Sequence, residues 1–183
     1  TVQSNTEIVY GTLQKLGQEY SLSMTEAITS PWTQGEGAIQ KFSDEIREYM
    51  DSKGVQYDYV QSEGFGSVER LASILANNGY RTIVIVGGDG ALNDAINGIM
   101  LSEAENKEQI AIGIIPNGIG NDFAKYWEMS TDYKEAVDCL ILNRRRRIDV
   151  GTCYYYDGEK HQTRYFLNAI NIGLGARIVS ITD

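Results

Sequence analysis

TIVIVGGDGALNDAING, residues 82–98, decides the fold. Residues 83–86 form an apolar run that stops at Gly87, Gly88, Asp89 and Gly90. Leu92, Ala95, Ile96 and Ile99 then recur at helical spacing, so a buried strand feeds a glycine turn that feeds a helix. In an open parallel sheet, ligands sit beyond the carboxyl ends of the strands. There, main-chain N–H groups and the positive end of the next helix attract phosphate. Glycine lets the chain approach an anion closely, which makes this turn a candidate nucleotide site.

The turn is neither of two common nucleotide motifs. No GxxxxGK[ST] occurs, and a GxGxxG starting at Gly88 and Gly90 would need glycine where Asn93 stands. Residues 87–98 instead resemble the GGDGTLNEVVNG segment of the diacylglycerol kinase catalytic family, lipid kinases that include the sphingosine kinases. Residues 114–124, IIPNGIGNDFA, are similar to that family's IIPxGTGNDFA. Both motifs close an apolar strand and stand in the family's order. GGDG alone is shared with NAD kinases and phosphofructokinases.

Working outward, residues 38–60 hold a helix, with Ile39, Phe42, Ile46, Tyr49 and Met50 on one face and Gly54 as its stop, then a strand with Val55, Tyr57 and Tyr59 alternating. Residues 62–66 read as a loop, and Ser67 as the cap of a helix ending near Gly79. Residues 110–115 are a second buried strand, followed by a short helix from Phe123. Thr131 or Asp132 caps a longer one carrying Ala136, Val137 and Leu140. Strands separated by helices at this interval predict a parallel sheet. Residues 148–156 and 164–172, around Asp157 and Gly158, predict a β-hairpin.

Upstream the pattern weakens. Val9, Leu13, Leu16 and Tyr20 suggest an amphipathic helix over residues 6–20, against which Gly11 and Gly17 count. The family opens with an apolar strand and an NPxxG turn; the nearest counterpart here is residues 24–30 followed by Pro31. Downstream, RIDVG at residues 147–151 opens a β-rich second domain in the family. RYFLN from Arg164, with Gly173, Gly175 and Ala176, is similar to a segment of it. The resemblance thus predicts an α/β fold: a three-layer, parallel-sheet nucleotide-binding domain over residues 31–143, an unassigned segment over 1–30, and the truncated start of a β-rich domain over 144–183. The chain is expected to be an amino-terminal part of a longer kinase.

Composition bounds the function. A net charge of −9 and a pI of about 4.7 leave no basic field for nucleic acid, and any contact with an anionic membrane must be local. Cys139, Cys153 and a lone His161 give no metal-ligand spacing. No apolar run approaches the ~20 residues of a membrane span. The expectation is a cytoplasmic protein, peripheral to the membrane where it meets lipid, with homo-oligomerisation left open. Residues 144–147, four arginines, are either a solvated helix end or a contact for lipid headgroups or phosphate. Tyr154, Tyr155 and Tyr156 are expected to pack.

What the resemblance implies is transfer of the terminal phosphoryl group of ATP, with magnesium, to a lipid hydroxyl such as that of diacylglycerol. The ATP contacts fall on Ser62, Gly87, Gly88, Asp89, Gly90, Ala91, Asn93, Gly118, Ile119, Gly120 and Asn121. Asp89 is the catalytic candidate, as a metal or hydroxyl partner, although a carboxylate there also caps a helix. Asn93, Asn121 and Ser62 each have a purely structural alternative. No metal ligand set is assigned. Ala91 and Ile119 stand where the family has threonine, and each removes a hydroxyl from the phosphate contacts. The alternatives are an NAD kinase-like enzyme and a nucleotide-binding regulatory module with a degenerate site.

Overall fold

The computed structural model describes residues 5–10, 22–26, 36–62 and 66–170, with side chains described from Phe42 onward. Its centre is a six-stranded mixed sheet. In chain order the strands and helices are β1 (Asn5–Tyr10), β2 (Leu22–Glu26), α1 (Glu36–Ser52), β3 (Tyr57–Gln61), α2 (Ser67–Asn77), β4 (Thr82–Gly87), α3 (Asp89–Leu101), β5 (Ala111–Pro116), α4 (Asp122–Tyr126), α5 (Tyr133–Ile141) and β6 (Arg144–Asp149). The sheet order is β3-β2-β4-β5-β1-β6, parallel throughout except for β6, which runs antiparallel to β1. A hairpin of β7 (Gly151–Tyr156) and β8 (His161–Phe166) follows.

Residues 83–86 are all buried because β4 lies inside the sheet with helices over both faces. Ile83, Ile85, Ile112 and Ile114 pack with α2 and α3. Their alternates Val84, Val86, Ala111 and Ile115 pack with α1 and α5, as the two-residue period of a strand requires. Helices on both faces of the sheet, with the short α4 joining α2 and α3 through Phe123, give three layers. α2 and α3 cross closely: a Cβ on Gly98 would stand 2.1 Å from the Glu69 carbonyl oxygen.

Several local expectations change. Asn5–Tyr10 is a strand, not the start of a helix over residues 6–20. It pairs with β5 on one side and along its whole length with β6 on the other, and Ile8, Val9 and Tyr10 suit a strand. Residues 11–20 lie outside the described residues. Of the stretch 24–30, offered as the nearest counterpart of the family's first strand, residues 24–26 belong to Leu22–Glu26, a strand between β3 and β4, and residues 27–30 lie outside the described residues. Gly66, in the left-handed region at φ 73°, is the cap of α2, and Ser67 is its buried first residue. Asp132 does cap α5, accepting from the amides of Lys134 and Glu135 at 2.8 and 3.1 Å.

Residues 144–147 are not a helix end. They form the outer strand of the main sheet, so the sheet continues past residue 143. The hairpin arms are shorter than expected: Val150 separates β6 from β7, and β8 ends at Phe166. His161 opens β8, its ring 5.4 Å from that of Tyr156. Tyr154, Tyr155 and Tyr156 are exposed. Gly173 and Gly175 lie outside the described residues.

Candidate functional site

The carboxyl ends of β4 and β5 are adjacent, and their two glycine loops meet. The amide of Asn117 donates to the Gly87 carbonyl at 2.9 Å. A Cβ on Gly118 would stand 2.5 Å from the Gly88 Cα, and one on Gly88 3.0 Å from the Gly118 Cα. At these two positions the absence of a side chain is what lets the loops touch. The sequence placed a phosphate near both loops, and the geometry adds that nothing fits between them. The two loops form one continuous rim at this end of the sheet.

Two side chains hold the rim together. The Asp89 carboxylate accepts from the amide of Asp122 through Oδ2 and from that of Phe123 through Oδ1, both at 2.9 Å. These are first-turn amides of α4, which have no acceptor within the helix. The negative charge also suits the helix N-terminus. Asp89 therefore caps a helix, though not the one it begins. Asn121 holds the left-handed conformation at φ 52° that asparagine tolerates. Its Oδ1 accepts from the Gly118 amide at 2.9 Å and its Nδ2 donates to the Gly118 carbonyl at 2.7 Å. It is 8% exposed, so its amide closes the loop on itself.

The two helix N-termini at the rim thus differ. That of α4 is satisfied by Asp89. That of α3 starts from Gly88, which has no side chain to cap it, and Leu92 is the residue whose amide returns to the Gly88 carbonyl at 3.1 Å. The amides of Asp89, Gly90 and Ala91 precede that bond and have no intrahelical acceptor. This first turn therefore presents main-chain donors at the rim that no side chain caps.

The remaining sequence-selected residues spread around this turn. Asn93 is exposed on α3. Gly120 lies against Asp89, where a Cβ would be 3.1 Å from Oδ2. Ile119 is 83% exposed, whereas Ala91 is buried in the core between α3 and the sheet. Ser62 closes β3 at the same rim, buried, and β2 separates it from β4, placing it about 9–10 Å away by strand spacing.

Two clefts open here. One of about 250 Å³ is lined by Asp89, Gly90, Leu92, Asn93 and Phe123 on one side and residues 166–169 on the other. The second, about 830 Å³, runs beside α4 between Asp122, Tyr126, Trp127, residues 146–149 and 167–169. Its size is that of a pocket for a small organic ligand. Both clefts depend on where β8 docks, and that is set by a residue the sequence reading missed. Asn97, fully buried on α3, donates to the Tyr165 carbonyl and accepts from the Tyr165 amide, both at 2.9 Å, while also reaching the Asn93 carbonyl at 2.8 Å. The available signal was a polar residue on the inner stripe of a helix. Close by, burial raises the pKa of Asp94, Glu69 raises it further, and Arg164 lowers it. Arg164 is itself paired with Glu69.

The family model for the diacylglycerol kinase catalytic domain matches residues 32–153. A diacylglycerol kinase from Staphylococcus carnosus is 29% identical over 150 residues, 82% of this chain and 44% of its own length. One from Staphylococcus saprophyticus is 28% identical over the same coverage. The chain thus spans less than half the length of these relatives. A crystal structure of a diacylglycerol kinase from Bacillus anthracis superposes on 81% of this chain and 46% of its own with a TM-score of 0.59 at 18% identity, a likeness of fold.

Proposed function

We propose, from the premise that this chain belongs to the diacylglycerol kinase catalytic domain family, that it is the ATP-binding part of a lipid kinase acting on a hydroxyl such as that of diacylglycerol. The observation that carries the reading is the uncapped first turn of α3 beside the Gly118 loop. ATP phosphates lie over the amides of Asp89, Gly90 and Ala91, with Gly118, Ile119 and Gly120 alongside. Gly87 and Gly88 set the approach of the main chain. Asn93 lies one turn further along the helix. Asn121 acts by fixing the loop. Ser62 contributes at the far side of the rim. Phosphoryl transfer depends on positioning and charge neutralisation more than on covalent help, and a rigid array of amides supplies the first and part of the second.

Asp89 in this proposal positions the two loops through the two hydrogen bonds its carboxylate accepts from the Asp122 and Phe123 amides. Magnesium is implied by the family. Among the described residues, no three acidic, histidine or cysteine side chains converge into a cage for a metal. A small cation that keeps its waters and is held mainly by nucleotide phosphates fits that donor set. Bound with ATP, it neutralises charge on the transferring group.

The test is calorimetry of the folded chain with ATP and magnesium, alongside a product assay with diacylglycerol as acceptor. Saturable heat with ATP is expected; a folded chain giving no heat at millimolar ATP overturns the proposal. A second reading, a nucleotide-binding module that does not turn over, is favoured by Ile119, an exposed apolar side chain where the family places threonine. Heat with ATP, but no phosphorylated lipid even when the chain is joined to the further length that its relatives carry, supports it.

A further inference from the structure

We propose that the outer strand β6, together with the end of α4, docks the protein on an anionic lipid bilayer. The chain carries a net charge of −9, yet residues 144–147 are four consecutive arginines, all exposed, on the last strand of the sheet. The Arg146 guanidinium lies over the Trp127 ring, 4.4 Å from its centre. Tyr126, 75% exposed, stands edge-on to Trp127 with ring centres 5.1 Å apart. Arg144, two residues from Arg146 on the same strand, faces the same side. Lys125 is exposed on the adjoining helix.

Charge and chemistry together select the occupant. Tyrosine and tryptophan favour the boundary between water and hydrocarbon, where the ring is half wetted. Arginine offers planar donors to lipid phosphate and stacks on an aromatic face without losing its charge. A basic patch on an otherwise acidic surface discriminates an anionic bilayer from a neutral one. Soluble polyanions that carry no rings or acyl chains, such as heparin, share the charge requirement but gain nothing from Tyr126, and a net charge of −9 opposes the broad basic field that RNA binding needs. The patch borders the 830 Å³ cleft, of which Tyr126, Trp127 and Arg146 form part of the wall. That would bring a lipid acceptor to the side of the molecule where the candidate site opens. In this respect the inference rests on the kinase reading, but its test uses no nucleotide.

The experiment is co-sedimentation of the protein with vesicles of phosphatidylcholine alone or with 30% phosphatidylglycerol, at low and physiological salt, in parallel with ATP calorimetry. Binding to the anionic vesicles at least tenfold tighter than to neutral ones is expected, weakening with salt. The Arg144→Glu, Arg146→Glu double variant should lose at least tenfold, since each basic residue near an anionic surface is worth about fivefold. Should charge reversal unfold the sheet edge, Arg144→Gln with Arg146→Gln serves the same purpose. Tyr126→Ser should weaken vesicle binding severalfold and leave binding to heparin unchanged. Equal binding to both vesicle types, or undiminished binding by the folded arginine variants, overturns the proposal. So does equal loss of vesicle and heparin binding in Tyr126→Ser. ATP heat without vesicle binding removes this inference alone; vesicle binding without ATP heat removes the kinase reading alone.

Discussion

Replacing Asp89 with asparagine keeps the shape of the side chain and removes one acceptor. In the structure both carboxylate oxygens receive main-chain N–H groups, from Asp122 and Phe123, at 2.9 Å each. Asparagine has one carbonyl oxygen and one NH₂, so one α4 amide would face a donor. A hydrogen bond to a charged group contributes about 1.5–3 kcal/mol, and the remaining bond loses its charge assistance and its share of the helix dipole, about 0.3–1 kcal/mol. Asp89 is only half-buried, which argues for the lower part of these ranges. A loss of about 2–3 kcal/mol is expected. For a domain of this size each kcal/mol moves the melting temperature by roughly 2–4 °C, so Asp89→Asn should melt roughly 4–12 °C lower. Urea denaturation followed by tryptophan fluorescence, with the m-value unchanged, is the quantitative assay. A carboxylate retained purely for chemistry behaves in the opposite way, because removing a charge held for function commonly stabilises a fold. A variant that melts at or above the parent temperature would refute the account of Asp89 as the tie between the loops.

Two further outcomes follow from the neighbourhood of α3. Asn97→Ala removes three hydrogen bonds and strands the Tyr165 amide and carbonyl; a loss of about 2–4 kcal/mol in urea denaturation is expected, and less than about 1 kcal/mol would show that β8 does not depend on it. Asp94→Asn should stabilise the protein at pH 7. Burial first, and Glu69 second, raise the folded-state pKa of Asp94, so the folded chain holds that proton more tightly than the unfolded one. Asp94 therefore costs stability above its folded pKa and costs none below its unfolded value, about 3.9. The advantage of the variant should be full at pH 7 and vanish near pH 3.5; an advantage independent of pH would rule out titration as its cause.

Much of the fold is legible because burial writes periodicity into sequence. β4, β5, α2 and α3 each bury a face or a whole strand, and each is readable from apolar spacing alone. β6 shows the converse. Its residues are exposed almost throughout, and it is a strand because its main chain pairs with β1 over six residues, which leaves no apolar alternation to detect. β1 escapes for a related reason: its partners come from residues more than a hundred positions away. At the site, the glycines were legible as places of close approach, and Asn121 as a loop residue. That Asp89 would cap α4, whose amides lie 33 and 34 residues further on, was not, because a capping signal in sequence is local and this bond is not.

The two departures from the family's threonines carry unequal weight once their surroundings are known. Ala91 is 4% exposed and packs with Leu92, Ile96 and the sheet. A larger residue there would compete for space in the core, so alanine at this position is explained by packing alone. Ile119 is 83% exposed at the tip of the loop beside the α3 N-terminus, where no neighbour demands an apolar side chain. A hydroxyl lost at a buried position was in competition with the core, whereas one lost at the tip leaves an open space beside the proposed phosphates. The case for a lapsed kinase therefore rests on Ile119. The main-chain donors of the α3 turn are indifferent to that substitution, so nucleotide binding and phosphoryl transfer need not have been lost together.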